Sequence, residues 1–272
     1  MELYFHSETN VGDQLNSWLW ESTLGVPVQS LEPQDALFIG IGTILRESIP
    51  SEPKKKFVMG AGCGYEPPPK LNDDWNVVMV RGPLTAKTLG VSSDVAVTDP
   101  GVLIRDYYSK DPSAKAVGFM PHYSSGILCD WVSLCEQAGV VYLDPTLSVD
   151  RLMEQFTTCK LIITEAMHGA IMADALRIPW RALKTRGSIL TFKWQDWASS
   201  LGMEVKFTYL PPPYRHGWKG RVMRPSKGLI RMRLRQLASQ EGCLSETHRL
   251  DEACEELHRR IKQFRDQCCL VS

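Results

Sequence analysis

Up to Leu201 the chain alternates short, continuously apolar runs with loops of small residues. Residues 3–5 lead into Ser7-Glu8-Thr9-Asn10-Val11-Gly12-Asp13, after which Leu15, Leu19 and Trp20 recur at helical spacing. Residues 36–39 run into Gly40-Ile41-Gly42-Thr43, 57–59 into Gly60-Ala61-Gly62-Cys63-Gly64, and 77–80 into Arg81-Gly82-Pro83. Residues 95–98 end at Asp99-Pro100-Gly101. After the polar break at 109–113 the pattern starts again. Residues 116–120 precede Pro121-His122-Tyr123, 140–143 precede Asp144-Pro145, and 161–164 precede Glu165-Ala166-Met167-His168-Gly169. Val149, Leu152, Met153 and Phe156 mark a helix face between the last two, and 180–183 supply a further strand. Runs without strict alternation suit strands covered on both faces of a parallel sheet. Two successive sets of strand-to-helix units predict an α/β fold of two Rossmann-like lobes, 1–112 and 113–210.

Beyond Leu201 the pattern weakens, and Pro211-Pro212-Pro213 interrupts regular structure. Residues 211–272 read as a basic segment followed by a helix packing back on the body, its stripe formed by Leu250, Cys254, Leu257, Ile261 and Phe264. Lys plus Arg and Asp plus Glu each total 31, so no overall field steers the chain to nucleic acid. From Pro211 to Gln240, however, there are eight Lys or Arg residues and no acidic one, a stretch suited to a phosphate, an anionic surface or plain solvent. It contains no RNA or DNA motif, and its aromatics Tyr214 and Trp218 are too few for a stacking platform.

The 272 residues, 43% of them hydrophobic, suffice for one large core or two smaller ones. None of the eight cysteines stands in a CxxC arrangement; Cys129, Cys135 and Cys254 lie inside apolar patterns and read as buried thiols of a reducing compartment, with no zinc site. The start of the sequence lacks a leader pattern, and no run of eighteen apolar residues occurs, so a cytoplasmic placement is expected.

The clearest local chemistry follows residues 161–164. At the carboxyl end of a parallel strand, His168 faces the crevice where ligands bind, its proton transfer falls near neutral pH, and the next helix offers backbone N–H groups to an anion. Glu165 is placed to orient His168 or hold a hydroxyl, or to serve as a helix-start carboxylate, while Gly169 permits close backbone approach. His122 is the second acid/base candidate, with Tyr123 as wall or hydroxyl donor; His6 also follows a strand. Arg81 at a strand-to-helix junction has the geometry to clamp phosphate or carboxylate, or to form a salt bridge. Asn10, Gly12 and Asp13 stand at a helix entrance, where Asp13 is the expected cap. Gly42 and Gly62 belong to glycine turns that are neither P-loops nor GxGxxG motifs. Asp99 and Asp144, each before proline, read as turn formers. Phe192-Lys193-Trp194-Gln195-Asp196-Trp197 has aromatics to stack on a sugar or to fill a core.

Together these segments are more specific than their parts. NVGDQLN, GIGTIL, GAGCG, VRGPLTAKTLG, VTDPGVLI, GFMPHY, TEAMHGAIMADALRIPW and KWQDW, spread over residues 3–197, resemble the polysaccharide pyruvyl transferase family, in particular its bacterial exopolysaccharide ketal-pyruvate branch. The resemblance implies a GT-B-like arrangement of the lobes, phosphoenolpyruvate as donor and a sugar or lipid-linked oligosaccharide as acceptor. It also implies a cyclic ketal product, a donor that needs no redox cofactor, and peripheral contact with the inner face of a membrane; no metal constellation is evident in the sequence, so no divalent ion is required. It makes His168 a donor-binding or acid/base residue and sets an anion site between the lobes, shared by Arg81 and His168. Many relatives carry Arg-Leu-His where this chain has Ala166-Met167-His168, so Arg81, Arg105 or a basic residue after Pro211 is left to supply the missing charge. A nucleotide-sugar glycosyltransferase and a noncatalytic carbohydrate-binding or scaffold protein are the competing functions, and oligomeric state is not readable.

Overall fold

In the computed structural model, which describes residues 1–6, 10–126, 130–185, 189–210 and 227–269, the apolar runs form parallel strands. First come β1 (Glu2–Tyr4), α1 (Val11–Leu24), β2 (Ala36–Ile39), β3 (Lys55–Met59), β4 (Trp75–Met79) and α2 (Pro83–Leu89). Then follow β5 (Ala116–Met120), α3 (Tyr123–Gly126), α4 (Trp131–Ala138), β6 (Val141–Tyr142), α5 (Val149–Phe156), β7 (Cys159–Thr164), α6 (Met167–Ala175) and β8 (Trp180–Lys184). The last described elements are α7 (Thr191–Ser200), β9 (Phe207–Tyr209), α8 (Lys227–Ala238) and α9 (Thr247–Cys269).

The chain divides into two compact units, Met1–Leu103 with Leu190–Val205 and Ser245–Ser272, and Ile104–Ile189 with Lys206–Leu244. Each unit is therefore discontinuous in sequence, unlike the consecutive division at 112 and 210 that the pattern predicts. The returning segments are held by what they bury. Trp194 and Trp197 of α7 are without exposure, so of the two uses open to this segment its tryptophans take the core. Phe264 of α9 meets Phe38 and Phe57 edge-on, with ring centroids 5.7 and 5.3 Å away.

In the first unit the strands lie in sequence order, β1-β2-β3-β4, all parallel. Asn10 caps α1 by accepting from the Asp13 backbone N–H at 3.2 Å, so the cap is Asn10 and not Asp13. Leu15, Leu19 and Trp20 are buried, and Gly25 ends the helix at φ 72°, where a side chain would be strained. Residues 95–98 do not form the fifth strand their composition predicts. The Ser92 side chain turns the chain by accepting from Asp94 N–H, leaving a 3-10 turn at Ser93–Val95 and a single parallel bridge between Val80 and Ala96.

The second unit has a parallel sheet ordered β6-β5-β7-β8-β9. Phe119, Ile163 and Leu183 from its strands pack with Trp131 and Leu134 of α4 and Ile230, Leu234 and Leu237 of α8. Burying such a side chain contributes about 1.5–3 kcal/mol, which is how α8 is held despite its arginines. Asp130 caps α4 by accepting from Ser133 N–H. In α5 the predicted stripe of Val149, Leu152, Met153 and Phe156 is the buried face. Among the described residues no disulfide is formed, and Cys135 and Cys254 are buried thiols; Cys129 lies outside the described residues.

Candidate functional site

Strand order fixes where a ligand can enter an open parallel sheet. In the second unit β6 lies on one side of β5 and β7 on the other, so the order reverses there and opens a crevice beyond the carboxyl ends of β5 and β7. His122 follows β5 and Glu165 follows β7. Among the described strands of the first unit the order runs β1 to β4 without reversal.

Glu165 joins the ends of three strands. Its side chain is buried, and one carboxylate oxygen accepts from Thr185 N–H at 3.0 Å and from the Thr185 hydroxyl. The other accepts from His122 N–H at 3.4 Å. Glu165 thus ties the loop after β5 and the end of β8 to the loop after β7. The His122 ring lies against that of Tyr123, with centroids 4.6 Å apart, and its Nδ1 pairs with the Ser124 hydroxyl at 2.8 Å. Ring and hydroxyl together set the plane and rotation of the imidazole.

His168 stands half-buried in the first turn of α6. The capping residue Ala166 supplies no side-chain acceptor to that turn. Thr164 instead holds the approach to the helix, its hydroxyl accepting from Ala166 N–H and donating to Ala166 C=O, each at 2.9 Å. Gly169 is required by packing. A Cβ there would lie 2.5 Å from Thr164 Oγ1 and 2.9 Å from Met120 Sδ, so only glycine lets α6 seat this close to β7. At the other end of α6 the buried Asp174 accepts from Trp180 Nε1 at 3.0 Å, fixing the helix to β8.

In the first unit Arg81, Gly42 and Gly62 lie in a buried polar network. Arg81 has no solvent exposure; its Nε donates to Asp196 at 2.9 Å, Nη1 to Thr43 Oγ1 at 2.8 Å and Nη2 to Cys63 C=O at 2.9 Å. Asp196 also accepts from Thr85 N–H at 2.9 Å and Thr85 Oγ1 at 2.6 Å. The expected anion clamp is therefore the cation of a buried ion pair. Gly62 lies against it, since a Cβ there would come within 2.2 Å of Arg81 Cζ. Gly42, at φ 132°, accepts from Gly62 N–H at 2.8 Å, joining the two glycine turns. Asn16, not singled out by the sequence reading, is buried and clasps Ile41: Oδ1 accepts from its N–H at 2.6 Å and Nδ2 donates to its C=O at 3.0 Å. Asn10 donates to the Asp13 carboxylate at 2.5 Å, and Gly12 is buried in the first turn of α1.

Burial raises Asp99 to about 6, with Gly101 N–H, at 2.9 Å, opposing that rise. Burial also pushes the Cys63 thiol up to about 12, so it stays protonated beside Arg81. Arg105 is half-buried in the 3-10 segment Pro100–Asp106 and belongs to the second unit, as does His168; Arg81 belongs to the first. Residues 211–226, which hold several of the other candidate cations, lie outside the described residues. Among the described residues no cluster of three His, Cys, Asp or Glu is placed to hold a metal ion, and no helix is long and apolar enough to cross a membrane.

The polysaccharide pyruvyl transferase profile matches residues 11–186, taking in every element from α1 to β8. The chain belongs to the polysaccharide pyruvyl transferase family. Among curated relatives, the succinoglycan biosynthesis protein ExoV of Rhizobium meliloti (strain 1021) is 38% identical over 206 residues, 74% of this chain. The aligned region spans 63% of ExoV's length. The uncharacterized protein L143 of Acanthamoeba polyphaga mimivirus is 24% identical over 213 residues, 74% of each chain. Among solved structures, the wall teichoic acid polymerase TagF aligns with 73% of this chain and 53% of its own at 14% identity, with a TM-score of 0.29, too low to carry an argument. Within this pyruvyl transferase-family chain, the match covers the Glu165 and His168 segment and stops short of α7 to α9.

Proposed function

We propose that this member of the family transfers the pyruvyl group of phosphoenolpyruvate to two hydroxyls of a sugar, forming a cyclic ketal and releasing phosphate, in exopolysaccharide biosynthesis. The reading rests on one observation: the reversal of strand order at β5 puts the His122 and Glu165–His168 segments at the crevice of a single sheet. The acceptor is a sugar of a growing or lipid-linked polysaccharide, worked on in the cytoplasm.

The donor's phosphate is assigned to the first turn of α6, whose N–H groups and dipole favour an anion. His168, in that turn, gives a proton to the terminal alkene carbon, which makes the central carbon electrophilic. A sugar hydroxyl attacks that carbon and passes its proton to His122 as base. The C–O bond to phosphate then breaks, phosphate leaves with the bonding pair, and the second hydroxyl closes the ring as it loses its proton. Each proton transfer of this kind is worth about 10²–10⁴-fold in rate. Glu165, engaged by Thr185 and His122 N–H, positions the two loops. With Arg81 committed to Asp196, the donor carboxylate falls to Arg105 or to a basic residue of 211–226.

Incubating the purified protein with phosphoenolpyruvate and a panel of sugars, and measuring phosphate and ketal together, tests this. Equal amounts of both are expected. Phosphate without ketal from every acceptor would mark a phosphatase and defeat the proposal. His168→Ala is expected to fold normally and lose at least about a hundredfold in ketal formation. Full activity in the folded variant would remove the histidine from the mechanism.

A further inference from the structure

We infer that α8 is a docking surface for an anionic lipid bilayer. The helix lies beyond residue 186, where the family match ends, and nothing in the proposed chemistry uses it. Its inner face is Ile230, Leu234 and Leu237, inserted into the core of the second unit. The i, i+4, i+7 spacing of those three turns Leu229, Met232, Arg233 and Arg235 outward. Met232 is 55% and Leu229 37% exposed, apolar side chains set among cations on the solvent side of a helix.

Among the described residues, the hydrogen-bond partners of the α8 arginines carry no charge. Arg231 donates to Gln137 Oε1 at 3.4 Å, Arg235 to Gln137 C=O at 2.7 Å and Arg233 to Gln236 Oε1 at 2.8 Å, all uncharged partners. With Lys227 the helix has four basic residues and no acidic one, within a stretch from Pro211 to Gln240 that holds eight and none. An anionic surface would attract the four cations of α8, the more strongly at low salt.

Cations interleaved with exposed aliphatic side chains fit a bilayer better than a nucleic acid. Headgroups take the arginines while Leu229 and Met232 enter the acyl boundary. A polynucleotide would use the charges and leave the aliphatics in water.

The test is co-sedimentation of the full chain with vesicles of phosphatidylcholine plus phosphatidylglycerol, against phosphatidylcholine alone. Binding is expected to the anionic vesicles only and to weaken with salt. Each basic residue near the surface contributes about fivefold, so the R231Q/R233Q/R235Q variant is expected to bind roughly a hundredfold more weakly at unchanged melting temperature. L229S/M232S keeps every charge and is expected to lose on the order of tenfold. Equal binding to neutral vesicles, or undiminished binding by the folded charge variant, would overturn the inference. So would heparin holding the protein as tightly as vesicles while L229S/M232S binds like the parent, the signature of a bare polyanion site. The readout involves no phosphoenolpyruvate, so it stands or falls apart from the pyruvyl-transfer reading.

Discussion

Asp196→Ala tests the claim that Arg81 belongs to the framework. Both side chains of the pair are fully buried, and the substitution strands a guanidinium where no water reaches it. Breaking a buried pair from one side costs about 3–5 kcal/mol, because the surviving charge keeps its desolvation penalty. Thr85 N–H loses its acceptor as well, which accounts for about 1–3 kcal/mol of that range. At about 2–4 °C per kcal/mol for a unit of this size, the melting temperature should drop by roughly 10 °C. Removing both charges with R81M/D196L should recover most of the loss, leaving chiefly the unmet Thr85 N–H. Thermal denaturation followed by circular dichroism on parent, R81M, D196L and R81M/D196L supplies the coupling energy. Additive losses, or an Asp196→Ala loss below about 1 kcal/mol, would refute the reasoning. A folded double variant that no longer binds phosphoenolpyruvate would restore Arg81 to the donor site.

Asn16→Ala should cost about 3 kcal/mol, read from denaturant midpoints, since it strands Ile41 N–H and C=O and the Trp20 indole N–H in a buried turn. Asp99 takes up protons more readily when folded, so its contribution is greatest below 3.8 and is lost as pH rises through about 6. That loss is about 3 kcal/mol, and Asp99→Asn should lack this component in a pH series of melts. Thr185→Val should lower ketal formation about tenfold by loosening Glu165, and Thr185→Ser should restore it. Loss of stability with unchanged turnover would leave Thr185 a purely structural residue.

Strands were legible where composition alone decides them. Ala36–Ile39 and Ala116–Met120 appear with the limits their apolar runs predict. Residues 95–98 are equally apolar, but the Ser92 turn before them and the second 3-10 segment after Asp99 leave no length for a ladder. The helix α8 went unseen because its three buried residues are diluted by arginines on the other faces. The strand-end positions of Glu165, His122 and His168 were legible because a residue at a strand's carboxyl end can be placed from its own neighbourhood. Arg81 was legible as a cation at a strand-to-helix junction, but its ion-pair partner was not. The partner that neutralises it is 115 residues away, and no local pattern announces such a pair. Asn16 carried a weak signal, a polar residue one helical turn before Trp20 and beside Leu15 in an otherwise buried stripe.

The two sets of motifs through which the chain resembles its family do different physical work. NVGDQLN, GIGTIL, GAGCG, VRGPL and KWQDW meet in one network, where Asn16 clasps the first glycine turn, Gly42 accepts from Gly62, and Arg81 holds Cys63, Thr43 and Asp196. A guanidinium in that setting supplies specificity of fold at small net stability, since its desolvation nearly offsets its pairing. GFMPHY and TEAMHG differ, because Glu165 takes its bonds from backbone and a hydroxyl and leaves two imidazoles beside the strand-order reversal. Substitutions in the first set should therefore register in melting temperature and those at His122 and His168 in turnover. Were Arg81 and His168 variants to fail in the same way, by folding or by catalysis alone, the separation argued from burial would not hold.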